Sequence, residues 1–158
     1  MDARDTVVAW LNDAYAMEQA LEKVLVQHAK DAEGHPEVRS RIEDHVVETR
    51  EQADTVAGCI ESLGGSVSGA KSAFGSMFGA MQSMANKPMG DTMVKNALAD
   101  YAAEHFEIAC YRALIEACRS IGEDDVASRL TPVLHEEEGM ARFLEESLPR
   151  AVEEALAG

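Results

Sequence analysis

Apolar residues recur at steps of three and four along four stretches of the chain, which is the spacing of one face of an α-helix. In the first stretch Leu11, Ala14, Leu21, Leu25 and Ala29 share a face, which predicts a helix over about residues 5–32. Gly34 and Pro36 interrupt it, and Pro36 suits the first turn of a second helix over about 36–63. That helix has Val38, Ile42, Val56, Ile60 and Leu63 as its stripe, and Gly64-Gly65 ends it. A third helix, over about 91–121, carries Ala99, Ala103, Cys110, Leu114, Cys118 and Ile121, with Asp91 placed as its N-cap and Gly122 past its end. A fourth, over about 124–148, carries Val126, Leu130, Val133, Ala141, Leu144 and Leu148. Pro132 is expected to bend it, and Pro149 to end it or to start a short terminal helix. The reading is all-α: a four-helix bundle in one domain covering residues 1–158.

Each stripe is broken by a polar residue where an apolar one should fall. Glu18 sits at the centre of the first face, with Glu22 beside it. Between Ile42 and Val56, His45, Thr49 and Gln52 take the inward positions and Glu48 lies at the edge. Glu107 replaces the step between Ala103 and Cys110, and Glu137 the step between Val133 and Ala141. A helix that buries polar groups in mid-span needs partners for them, whether side chains, water or metal.

Residues 66–90 differ from the rest. They are rich in Gly, Ser, Met and Ala and carry little charge. A short, weak helix is expected near 70–85, in a segment long enough to cross from one end of a bundle to the other. Its Phe and Met residues suit packing on the bundle or on a second subunit; Gly75 and Gly79 form only a weak small-residue pattern.

The two halves resemble each other. Glu18 and Glu107 stand 89 residues apart, and each precedes a stripe leucine, Leu25 or Leu114, by seven. An H-x-x-E occurs on the second helix at His45 and Glu48 and, 90 residues on, at His135 and Glu138 on the fourth. Helical phase selects Glu137 as the inward acid of the run Glu136–Glu138, whereas the repeat selects Glu138. By phase, His135 faces outward.

Charge narrows the partners. A formal net charge of -15 argues against nucleic acid and anionic membrane surfaces and fits either plain solubility or attraction of cations. No apolar run reaches the roughly 18–20 residues of a membrane span, and the N-terminal residues lack a secretory pattern. Cys59, Cys110 and Cys118 form no CxxC and fit core positions in a reducing cytoplasm.

Carboxylates on facing helices, together with imidazole, form sites for iron, manganese or zinc within four-helix bundles. Residues three apart reach one site from neighbouring turns. The usual di-metal order is Glu followed three residues later by His; here it is reversed, so His45 is either a ligand or a partner that orients a carboxylate. Glu18 and Glu107 alone would more often snorkel or pair with a cation, but their repeat-related placement favours a site. Glu104, one turn before Glu107, is an extra ligand or a surface acid. Tyr15, Tyr101 and Tyr111 lie near these helices as packing or hydrogen-bond partners. No GxGxxG, P-loop or GxSxG motif is present.

The phrases D-A-Y-A-M-E-Q (13–19), H-V-V-E-T-R-E-Q (45–52), E-H-F-E-I-A-C-Y (104–111) and E-E-E-G-M-A (136–141) resemble the YciE/YciF family of bacterial stress-associated proteins, over nearly the whole chain. The resemblance implies a ferritin-like bundle with a long crossover between the second and third helices, a homodimer, and a carboxylate di-metal centre. It implies iron, two ions per chain, held by Glu18, Glu48, Glu107 and Glu138 with His45 nearby. Arg142 departs from the pattern, standing where an acid is expected one turn after the fourth-helix glutamates. The function expected is metal binding, with ferrous oxidation or peroxide removal as its chemistry. The alternative is a metal-free bundle that acts by self-association or through a protein partner.

Overall fold

The computed structural model describes residues 2–68 and 90–157. Four helices account for most of them: α1 (Ala3–Asp31), α2 (Pro36–Ser62), α3 (Thr92–Ser120) and α4 (Asp124–Ala157). The crossover, with its expected helix near 70–85, falls on residues 69–89, outside the described residues.

Local chemistry sets the helix ends. Asp2 caps α1 reciprocally: its Oδ1 accepts from the Asp5 amide at 2.8 Å, and Asp5 Oδ2 accepts from the Asp2 amide at 3.2 Å. Asp91 stands at the expected position before α3, but its side chain makes no capping bond and pairs instead with Lys95 Nζ at 3.0 Å. Gly64 and Gly122 both have φ of 79°, a conformation open to glycine at little cost. Each ends its helix in the same way. Gly64 N–H donates to Glu61 O and Gly65 N–H to Ile60 O; Gly122 N–H donates to Arg119 O and Glu123 N–H to Cys118 O. These are paired Schellman bonds that satisfy the last carbonyls.

α4 departs from expectation. It continues through Pro132 and Pro149 and reaches Ala157, well past the expected end near Leu148. Beyond Pro149 the helix is tied down by Arg150, which bonds Glu154 at 2.8 Å along the helix and Glu37 of α2 at 3.3 Å.

α1 packs chiefly on α2, and α3 chiefly on α4; thinner contacts join α1 to α3 and α2 to α4. The molecule is therefore two hairpins laid together, in keeping with the repeat. The apolar core falls into two clusters. One includes Leu11, Met17, Val56, Ile60, Tyr111 and Leu130; the other is Leu25, Ala29, Ile42, Val46, Met140 and Leu144. On α2, Thr49 and Gln52 lie between Val46 of the second cluster and Val56 of the first, and on α4 Glu137 lies between Val133 of the first and Met140 of the second. Cys59 and Cys118 are in the core, while Cys110 is only half-buried. Among the described residues no helix is long and apolar enough to cross a membrane.

Candidate metal centre

Five acidic or imidazole side chains converge in the middle of the bundle, and all are buried: Glu18 from α1, His45 from α2, Glu104 and Glu107 from α3, and Glu137 from α4. Spacing explains why each points inward. Glu18 lies on the face of Leu11, Leu21 and Leu25; Glu104 and Glu107 follow Asp100 by four and seven on one face of α3; Glu137 lies between Val133 and Met140.

The five form two overlapping groups. His45, Glu104 and Glu137 make one, and Glu18, Glu107 and Glu137 the other; within each, one candidate ligand atom per residue lies within 4.8 Å of the others. Glu137 is common to both, which is the arrangement expected of a carboxylate bridging two ions.

His45 is gripped at both ring nitrogens. Nδ1 lies 2.6 Å from Glu48 Oε2, and Nε2 lies 3.1 Å from Glu104 Oε1 and 3.4 Å from Glu137 Oε2. Burial works against a charged ring, yet Glu104, Glu137 and Glu48 outweigh it and the His45 pKa is pushed up to about 12. These three carboxyl groups favour the imidazolium form of the ring. Thr49 Oγ1 spends its proton on His45 O at 2.8 Å and does not bond the ring.

The carboxyls respond to burial in the opposite sense. Burial first, then Glu137, pushes Glu18 well above the ordinary range, against a hydrogen bond from the Tyr111 hydroxyl. Burial likewise raises Glu104, opposed by His45, and raises Glu107, where Glu137 and Glu18 add to the effect. Glu18 Oε2, Glu104 Oε2 and Glu137 Oε1 are buried without a hydrogen-bond partner. Unpaired acceptors of this kind cost free energy, and a divalent cation would satisfy them. Hard oxygen donors with one imidazole suit iron, manganese or zinc, so the residues present fit a pair of such ions.

The remaining expected residues lie elsewhere. Glu48 touches His45 but is only partly buried, and its Oε2 also accepts from Arg41 Nη1 at 3.1 Å. These two cations lower its pKa in spite of burial. Glu138 turns outward and pairs with Arg112 Nη2 at 2.7 Å, and His135 is exposed. Helical phase, not the repeat, therefore identifies the inward acid, because α4 keeps the phase of Val133, Met140 and Leu144 through this run. Glu136 accepts from Gln52 Nε2 at 2.9 Å. Arg142 is exposed and does not face the centre.

Three buried polar residues escaped sequence reading: Asn96 and the pair His28 and Asp100. His28 Nδ1 lies 2.7 Å from Asp100 Oδ1 across α1 and α3, at 2% and 4% side-chain exposure. The signal was available: His28 continues the Leu21–Leu25 face, and Asp100 precedes Glu104 by one turn.

A four-helix bundle crossed by a layer of carboxylates and imidazole is the ferritin-like architecture. The chain superposes on a bacterioferritin of Desulfovibrio desulfuricans, described with a diiron site, with a TM-score of 0.71 at 20% identity over 94% of this chain and 81% of that one. It also matches, over residues 2–157, the family described as a domain of unknown function, DUF892, and it belongs to that family. A protein from Xanthomonas campestris pv. campestris is 38% identical, with a TM-score of 0.85, over 99% of this chain and 97% of that one. The Escherichia coli stress protein YciF is 21% identical with a TM-score of 0.85, over 97% of this chain and 98% of that one. The resemblance read from the four motifs is borne out, and so is the ferritin-like fold.

Proposed function

We propose that this protein binds two divalent metal ions, iron first among them, between its two hairpins and oxidises ferrous iron with dioxygen or peroxide. The observation that carries the reading is the pair of buried three-residue groups sharing Glu137, with Glu18 Oε2, Glu104 Oε2 and Glu137 Oε1 buried without a hydrogen-bond partner. Glu18 and Glu107 would hold one ion, His45 and Glu104 the other, with Glu137 between them. Transfer of one electron from each of two bound ferrous ions would reduce dioxygen to hydrogen peroxide with uptake of two protons.

The chain's own residues do the rest. Tyr111 fixes Glu18 by its hydroxyl bond. Arg41 holds Glu48 at the edge of the centre. The apolar clusters on either side limit access of water, which strengthens every charge interaction between them. To serve as a ligand, the His45 ring would have to give up a proton.

Elemental analysis of protein purified without chelator or metal resin is the first test, followed by anaerobic ferrous titration. The expected result is about two ions per chain, as in other carboxylate bundles. No metal on purification and none taken up would overturn the reading. Ferrous oxidation no faster than in buffer would leave metal binding but remove the oxidase. The molecule acts as a cytoplasmic homodimer in this reading; sedimentation at micromolar concentration tests the dimer. The competing reading, association without metal, is favoured by the exposed Trp10, Val47 and Leu98 side chains. It predicts that Glu18→Gln with Glu107→Gln leaves assembly and function unchanged.

A further inference from the structure

A second site stands at the end of the bundle where α1 finishes and α2 and α3 begin. A cavity of about 350 Å³ opens there, within the size range of small-molecule sites. Its walls include the apolar side chains of Val38, Ile42, Ala97, Phe143 and Leu144. It is also lined by the buried His28–Asp100 pair and by Asn96, which is 4% exposed. Asn96 Nδ2 donates to Asp31 Oδ2 at 2.9 Å, but its Oδ1 is buried with no hydrogen-bond partner.

Acidic groups outnumber basic ones around this cavity. Asp100, Glu37, Glu146 and Glu154 line it together with Arg150, His28 and His35. Arg150 is already held by Glu37 and Glu154, and Glu154 also meets His35 Nδ1 at 3.0 Å. The result is an apolar chamber with an unused acceptor in its wall and an acidic lining. A donor-bearing cation complements both features. A bare metal ion does not, because no three-ligand cluster occurs here among the described residues and the walls are largely hydrocarbon.

We propose that this cavity binds a small organic ammonium with an apolar body, its N–H groups directed to Asn96 Oδ1 and the acidic side chains, its hydrocarbon against Ile42, Phe143 and Leu144. Phe143 offers an aromatic surface to such a body or to its charge. The site shares no residue with the metal centre, so its occupancy does not depend on metal.

The test uses the full chain and three probes of one shape: phenylethylammonium, 2-phenylethanol and 3-phenylpropionate. Calorimetric titration should show the ammonium binding, with the alcohol and the carboxylate at least about tenfold weaker. Amide shifts in a heteronuclear NMR spectrum should cluster at Asn96, Ala97 and Phe143 and spare Glu18 and Glu107. Ala97→Phe fills the chamber and should weaken the ammonium by about tenfold or more while circular dichroism stays unchanged. Ala151→Phe narrows it from α4 and serves if Ala97→Phe fails to fold. Equal binding of the carboxylate, unaltered affinity in the folded filled variant, shifts centred elsewhere, or no binding at millimolar probe would each overturn the proposal.

Discussion

At the scale of single residues, the centre holds its cost in carboxylates. Glu107 is fully buried, and burial and two neighbouring acids raise its pKa. Glu107→Gln keeps the shape and removes the charge. It should stabilise the metal-free protein by on the order of 1–2 kcal/mol near pH 8 and lower ferrous uptake, as read by chemical denaturation and by anaerobic titration. The pH dependence follows from the same groups. His45 has an ordinary value of 6.5 and a folded value of about 12, so its stabilisation is complete below pH 6.5 and lost as pH rises through about 12. Glu18, Glu104 and Glu107, raised from 4.5, act in the same sense: their contribution is full below 4.5 and disappears as pH rises through their folded values. Glu48, lowered from 4.5, opposes them, and its contribution is lost as pH falls through its folded value. Between pH 9 and pH 6 the metal-free protein should therefore gain Tm as pH falls. Metal competes for the same protons, so ferrous affinity should weaken over that interval, as titrations at each pH would show. Most of this layer was legible in advance because Glu18, His45, Glu107 and Glu137 interrupt apolar stripes. The choice of Glu138 followed a repeat that is one residue out of step with the helix, and packing obeys the helix.

At the scale of elements, the helices follow from period, cap and breaker, and the exceptions have local causes. Proline removes a donor and disfavours the helical conformation before it, which made Pro149 a natural end for α4. The tie from Arg150 to Glu37 and Glu154 holds the last turns against that preference. The glycine stops were readable because φ of 79° is what the motif requires. An added Cβ at Gly122 would meet nothing within 4 Å, so Gly122→Ala tests backbone conformation alone. It should cost about 1–2 kcal/mol in thermal or denaturant unfolding and leave metal uptake unchanged. Pairs such as His28–Asp100 were harder to anticipate, since one sequence position does not reveal which helix will face it.

At the scale of the molecule, the centre draws on all four helices and so joins the two hairpins. An ion bound only by the folded form stabilises it by mass action. Loading to about one hundred times Kd should add about 2.7 kcal/mol, or roughly 5–10 °C in Tm, reversed by chelation. Glu137→Gln, altering the residue common to both groups, should remove most of that rise in a calorimetric scan. The layer has a further effect that requires no metal. Leu, Ile and Val surfaces tolerate sliding, because one apolar contact replaces another. His45 of α2 against Glu104 of α3 and Glu137 of α4 does not. Displacing α2 along its axis by one turn, about 5.4 Å, would part the His45 ring from both acids and leave the buried carboxyls of α3 and α4 facing one another without it. The buried ion cluster is thus a registration key, permitting the two halves of a near-symmetric bundle to mate in a single alignment.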